Sequence, residues 1–129
     1  MVEIIQLEDH GDARGDLYVG AVGKEIPFEI KRFYILKGVP RGESRGKHAH
    51  RKTARAAFCL EGSFDLLADD GKNQEAVHID AARGAHLSTM VWHTLKNFSD
   101  DAVVLVVANE PYDEKDYIRN YEDFLNEVR

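Results

Sequence analysis

Short apolar runs separated by polar turns fill most of the chain. The runs are rich in valine, isoleucine, leucine and aromatic residues, which favour strands. Many short strands at this spacing predict an all-β sandwich or barrel. The predicted strands are Met1–Gln6, Asp16–Ala21, Arg32–Lys37, Ala54–Glu61, Ser63–Ala68, Glu75–Asp80, Ala85–Ser88, His93–Phe98 and Ala102–Ala108.

The C-terminal segment has a different pattern, typical of an amphipathic helix. Its apolar residues recur at helical spacing, and Asp113 or Asp116 is expected to cap the helix at its N-terminus. We expect this helix to pack on the barrel; binding to a partner is the alternative. The residues of the apolar face are Tyr117, Tyr121, Phe124, Leu125 and Val128.

Length and composition indicate one soluble domain covering residues 1–129. The longest apolar run, Ala102–Ala108, is far shorter than the roughly 20 residues of a membrane span. Met1–His10 contains three acidic residues, so we expect no signal peptide and a cytoplasmic protein. A single cysteine, Cys59, excludes an internal disulfide.

The net charge of −6 argues against a nucleic-acid binder. Basic residues are nevertheless concentrated in one stretch, which contains a single acid, Glu43. This stretch is compatible with either a binding site for a small anionic ligand or a solvated loop. The basic residues are Arg32, Lys37, Arg41, Arg45, Lys47, Arg51, Lys52 and Arg55.

A His-x-His pair inside the basic stretch is the strongest candidate for chemistry. On a strand, His48 and His50 project from the same face. Two neighbouring imidazoles suit either a metal site or acid–base catalysis near neutral pH.

The spacing around this pair resembles the first motif of the cupin superfamily, whose fold is a jelly-roll barrel (a double-stranded β-helix). Arg55 occupies the position of the metal-binding glutamate, and a guanidinium there would repel a divalent cation. His93 and Asn97 fit the end of the second motif. The residues that match the first motif are Gly42, His48, His50 and Gly62.

Across nearly the whole chain, the sequence resembles the FdtA/QdtA/WxcM-type sugar 3,4-ketoisomerases, small cupins that act on dTDP-4-keto-6-deoxyglucose. The resemblance implies a homodimer with strand exchange at the N-terminus, and no metal or other cofactor. The matching segments are 12–17, 26–32, 45–50, 62–63, 69–72, 90–93, 97–101 and 112–121.

The resemblance also assigns roles to residues. It implies that His48 and His50 form the catalytic centre, one as the carbon base and the other as the oxygen proton carrier, in an order that the sequence leaves open. Tyr34 and Arg14 are expected to stabilise the enediolate, and Trp92 or Tyr34 to stack on thymine. The other expected substrate-binding residues are Arg32, Arg41, Arg45 and Lys47, which would contact the pyrophosphate, and His93.

The sequence departs from the family in two places. Ile35 and Lys37 lie where family members have a tyrosine-rich run, and Arg55 replaces a usual glutamine. Three alternatives therefore stay open: a metal-dependent cupin enzyme using His48, His50 and His93, a non-catalytic sugar-nucleotide-binding module, and a C3/C5 epimerase.

Overall fold

Two five-stranded antiparallel sheets face each other in the computed structural model, which describes residues 2–129. The first sheet has the order β1-β7-β4-β9-β2, and the second has the order β10-β3-β8-β5-β6. The strands are β1 (Val2–Gln6), β2 (Arg32–Lys37), β3 (Arg45–His50), β4 (Arg55–Glu61), β5 (Ser63–Asp69), β6 (Gln74–Asp80), β7 (Arg83–Leu87), β8 (Trp92–Lys96), β9 (Val103–Ala108) and β10 (Tyr117–Ile118).

The all-β prediction is confirmed, and eight of the nine predicted strands correspond to β1, β2 and β4 to β9 within a few residues. Met1 lies outside the described residues. The predicted strand at Asp16–Ala21 is wrong for the isolated chain, because this segment forms only an isolated bridge, between Tyr18 and Asp9. Its apolar side chains, Leu17 and Val19 among them, are exposed, so no partner strand within residues 2–129 covers them.

The main core lies between the two sheets. Alternation along each strand sends one face inward, so Phe64 and Leu66 of the second sheet meet Val104 and Val106 of the first. A second cluster covers the outer face of the first sheet, where Ile26 of the N-terminal segment packs in the same cluster as strand residues. Both faces of the first sheet are thus occupied by side chains.

The C-terminal helix α1 (Tyr121–Val128) confirms the predicted amphipathic helix, but begins later than the pattern indicated. Asn120, and neither Asp113 nor Asp116, caps it, since the Asn120 side chain accepts a hydrogen bond from the backbone N–H of Asp123. Asp113 instead caps a short 3-10 helix at Glu114–Asp116. Tyr117 belongs to β10, which pairs with β3 and so fixes the C-terminal segment beside the histidine pair.

A bulge in β3 positions the histidines. The pairing with β8 shifts register between Gly46 and His48, and both Gly46 (φ 93°) and Lys47 (φ 60°) have positive φ. A Cβ on Gly46 would lie 3.0 Å from the carbonyl oxygen of His93, so glycine is needed there for both conformation and space. Past the bulge, His48 and His50 share the inward side of β3.

Phe124 tests the packing of the helix on the barrel. It is fully buried against Ala49 and Ile118, and its ring centroid lies 5.8 Å from that of Trp92. Phe124→Ala should lower the free energy of unfolding by about 3–5 kcal/mol, as measured by urea denaturation. The exposed Asn126→Ala, in the same helix, is the control and should change it by less than about 0.5 kcal/mol; equal effects would contradict the packing described.

Candidate active site

A cavity of about 580 Å³ lies between the two sheets and opens to solvent. Its wall combines imidazole, phenol and guanidinium groups with an apolar floor that includes Ala57, Leu87 and Val106. A few convergent polar groups on an apolar wall are typical of a small-molecule site. The polar residues of the wall include Arg32, Tyr34, Arg45, His48, Arg55, His93, Tyr117 and Arg119.

His48 lines this cavity and has one ring nitrogen without a hydrogen-bond partner among the described residues. Its Nδ1 lies 3.1 Å from the carbonyl oxygen of Gly46, which can only accept, so Nδ1 carries the hydrogen. Its Nε2 is buried and has no hydrogen-bond partner among the described residues. The bulge at Gly46 therefore fixes a tautomer that leaves a free lone pair on Nε2, as a general base requires.

His50 is held by a buried carboxylate. Its Nδ1 donates to Oδ2 of Asp116 across 2.9 Å, and both side chains are almost fully buried. Asp116 also accepts from the backbone N–H of Lys52 at 2.7 Å and from the hydroxyl of Thr53. Burial alone would raise the pKa of Asp116, but the hydrogen bonds from Thr53, Lys52 and His50 outweigh it and hold the pKa at about 2.

A third imidazole and a cation lie against this pair. The ring centroid of His93 is 4.6 Å from that of His48, and that of His50 is 4.9 Å from it. Nη1 of Arg55 donates to Nε2 of His93 across 2.7 Å. Arg55 is only 2% exposed, and its burial lowers its pKa while the phenol of Tyr34 opposes the shift.

Burial and this cation keep the imidazoles neutral. Burial first, and the charge of Arg55 second, lower the pKa of His48 to about 3 and that of His50 to about 4. The same two causes hold the pKa of His93 well below its ordinary value. The histidines are therefore available as bases rather than as imidazolium ions at neutral pH.

Cations and phenols line the remaining polar wall. Arg45 and Arg119 are exposed, while Arg32 is half-buried and its Nε has no hydrogen-bond partner among the described residues. The guanidinium of Arg119 lies 4.3 Å from the ring centroid of Tyr117, and its Nε is held by Glu114 at 2.7 Å. This arrangement favours an anionic group at the cavity mouth.

Six of the ten predicted site residues meet at this cavity; five line it, namely Arg32, Tyr34, Arg45, His48 and His93, and His50 lies directly behind His48. The structure corrects the placement of the others.

Arg41 is exposed and pairs with Asp100, and Lys47 is exposed and lines a separate surface hollow. Trp92 packs on α1, because alternation along β8 puts it on the face opposite to His93. Arg14 pairs with Asp12 at the surface and is 90% exposed, so the isolated chain does not bring it to the cavity.

The sequence analysis missed several groups of the site. Asp116, Tyr117 and Arg119 reach it only because β10 pairs with β3, and Thr53 completes the bonds around Asp116. For Asp116, Tyr117 and Arg119, the available signal in the sequence was the segment 112–121, which resembles the ketoisomerase family. Arg55 was noted as a departure, but not as a neighbour of His93.

The donor set does not fit a metal centre of the ordinary cupin kind. Among residues 2–129 no group of three or more histidine, cysteine or carboxylate side chains is arranged to hold a metal ion. The guanidinium of Arg55 bonds the Nε2 that His93 would offer to a metal, and repels a cation.

No helix of residues 2–129 has the length and apolar character needed to cross a membrane.

The lowered pKa values make stability depend on pH. Below about pH 6.5 the unfolded chain gains protons on these histidines that the folded chain does not bind until about pH 4. The free energy of unfolding should therefore fall between pH 7 and pH 5, by about 2 kcal/mol per buried histidine.

Urea denaturation at several pH values measures this slope. His48→Gln removes one of the linked groups and should make the slope shallower. His10→Gln, at an exposed site outside the cavity, is the matched control. A slope that His48→Gln leaves unchanged would contradict the pKa assignment.

Comparisons with known proteins show the family of the chain. The family model FdtA, described as WxcM-like, C-terminal, matches residues 1–129. The TDP-4-oxo-6-deoxy-alpha-D-glucose-3,4-oxoisomerase of Aneurinibacillus thermoaerophilus is 39% identical over 123 residues, which cover 95% of this chain and 88% of that protein.

Two solved structures show the same fold. A 3,4-ketoisomerase from Helicobacter canadensis is 34% identical with a TM-score of 0.94, and the match covers 98% of this chain and 96% of that one. A histidine-to-asparagine mutant of the 3,4-ketoisomerase QdtA from Thermoanaerobacterium thermosaccharolyticum, in complex with TDP-4-keto-6-deoxyglucose, is 32% identical with a TM-score of 0.93 over 98% of this chain and 93% of that one. The predicted cupin barrel with a C-terminal helix is confirmed, and the chain belongs to the FdtA family of WxcM-like proteins.

Proposed function

We propose that this protein is a sugar 3,4-ketoisomerase that converts a TDP-linked 4-keto-6-deoxyglucose into the 3-keto isomer. The observation that carries the proposal is the buried, unpartnered Nε2 of His48 on the cavity wall, beside the carboxylate-bound His50. Relatives named as 3,4-ketoisomerases support the substrate class. We assign the activity to residues 1–129 as one domain, since both sheets contribute to the cavity.

The first step is removal of the proton on C3 of the sugar. Nε2 of His48 takes this proton, the C–H electron pair forms the C3–C4 double bond, and the C4 carbonyl oxygen becomes an oxyanion. The product of the step is an enediolate. His48 suits this role because it lines the cavity, its Nε2 has no hydrogen-bond partner among the described residues, and its other nitrogen is fixed on Gly46.

The second step moves protons until the ketone stands at C3. The oxygen on C3 gives up its hydroxyl proton, the oxygen on C4 receives one, and C4 takes the proton returned by a histidine. His50 is assigned the transfer between oxygens, because Asp116 stabilises the imidazolium that forms in transit. Tyr34, which lines the cavity from β2, is assigned the hydrogen bond to these oxygens. No electrons leave or enter the substrate.

The nucleotide end is assigned to the mouth of the cavity. Arg32, Arg45 and Arg119 supply guanidinium groups that match phosphate oxygens. In this arrangement the pyrophosphate binds at the mouth, and the sugar extends into the cavity towards the histidines.

Proton NMR of TDP-4-keto-6-deoxyglucose in deuterated buffer, after chelator treatment of the protein, tests the function. Wild-type protein should form a 3-keto sugar and exchange the C3 proton with solvent. His48→Asn should lower both rates by at least about 100-fold, which is the rate enhancement that a general base usually contributes. His50→Asn should block product formation.

His78→Asn, at an exposed histidine on β6 of the second sheet, is the control and should behave as wild type. Binding without exchange would indicate a non-catalytic module, and exchange with a C3- or C5-inverted 4-keto product would indicate an epimerase. Either result contradicts the ketoisomerase proposal.

We further propose that two copies associate through the outer face of β2, the edge strand of the first sheet. Phe33 and Ile35 on this face are 64% and 50% exposed, and the exposed Leu17 and Val19 follow Arg14 in a segment without a partner strand in its own chain. A second copy would cover these apolar side chains and could bring Arg14 towards the partner's cavity.

Light scattering after gel filtration measures the association. Wild-type protein should have twice the mass of the 14.6 kDa chain, and Phe33→Asp should reduce the mass to that of one chain. Ala76→Asp, an exposed position on β6 of the other sheet, is the matched control for charge. A wild-type protein with the mass of one chain at micromolar concentration would contradict the dimer.

A further inference from the structure

Arg55 is a buried cation without a carboxylate partner. Only 2% of the residue is exposed, and no Asp or Glu among residues 2–129 lies within ion-pair distance of it. Its Nη1 donates to Nε2 of the His93 imidazole, and its Nε has no hydrogen-bond partner among residues 2–129. The other buried charged side chain near the histidines, Asp116, by contrast accepts three hydrogen bonds.

Such a charge is costly to bury, and a structure normally compensates it with an anion. The side chain lines the cavity, so a ligand that enters can supply the missing charge. A neutral sugar ring could not supply a negative charge. The position of Arg55 therefore indicates which part of the ligand becomes negative.

Two parts of a TDP-linked keto sugar are candidates, the diphosphate and the reacting sugar. The diphosphate has the exposed Arg45 and Arg119 at the mouth. Arg55 is instead bonded to His93, whose ring centroid lies 4.6 Å from that of His48. A sugar that brings C3 to Nε2 of His48 therefore lies nearer to Arg55 than the phosphates do.

We propose that Arg55 stabilises the enediolate oxyanion that forms when His48 removes the C3 proton. This inference rests on the proposed function and adds a residue to it. The guanidinium acts as an electrostatic and hydrogen-bonding group, and it exchanges no proton with the sugar. Because the neutral keto sugar offers it no anion, its effect is greater on the deprotonated state than on substrate binding.

Arg55→Gln and Arg55→Lys, with Arg45→Gln for comparison, test the inference. The rate of C3 proton exchange into deuterated solvent reports deprotonation, and calorimetric titration with TDP reports nucleotide binding. Arg55→Gln should slow exchange about 100-fold, as loss of an oxyanion donor does, and keep TDP affinity within about twofold. Arg55→Lys, which keeps the charge, should recover part of the exchange rate. Arg45→Gln should instead weaken TDP binding.

Thermal unfolding separates this role from a structural one. Removing a buried unpaired charge should leave the Tm of Arg55→Gln equal to or above that of wild type. Exchange within twofold of wild type, or a lower Tm with proportional loss of TDP binding and exchange, would overturn the inference while leaving the ketoisomerase proposal intact. A wild-type protein that does not exchange the proton would contradict both.

Discussion

The buried carboxylate of Asp116 connects the candidate active site to the rest of the molecule. It accepts from His50 on β3, from the backbone of Lys52 and from Thr53, so it joins the C-terminal segment to the loop before β4. The same connection places β10 beside β3, with Tyr117 and Arg119 on the cavity wall. Loss of this carboxylate would leave His50 unoriented and the cavity open along one side.

The proposed chemistry depends on neutral imidazoles in a positively charged pocket. Burial and Arg55 lower the pKa of His48 and His50, and backbone and carboxylate acceptors place the hydrogen on Nδ1 of each. The result is two free Nε2 lone pairs near each other. Burial would make an imidazolium unstable here, except at His50, where Asp116 can stabilise it. This difference between the two rings is what assigns them different roles.

The sequence predicted most of the fold, because the strands carry their own apolar alternation and turn residues. It failed at Asp16–Ala21, where the alternation is present but no strand of the same chain pairs with it. It also placed the helix start too early, since Tyr117 continues the apolar pattern while belonging to β10.

The site was predicted where it is local and missed where it is long-range. His48 and His50 share a face because they are two residues apart on one strand, and this follows from spacing alone. Asp116 meets His50 across 66 positions of sequence, and no local pattern indicates such a contact. Trp92 could have been excluded from the site by local spacing. Its neighbour His93 lies in the cavity, and alternation along β8 puts the side chain of Trp92 on the opposite face.

The proposed mechanism depends most directly on the protonation states of His48 and His50. Long-range proton–nitrogen correlation NMR of nitrogen-15 labelled protein measures these states at each ring. Between pH 6 and pH 8 we expect His48 and His50 to be neutral and protonated on Nδ1, with signals that do not titrate. An imidazolium at either residue near pH 7, or a hydrogen on Nε2 of His48, would contradict the proposed mechanism.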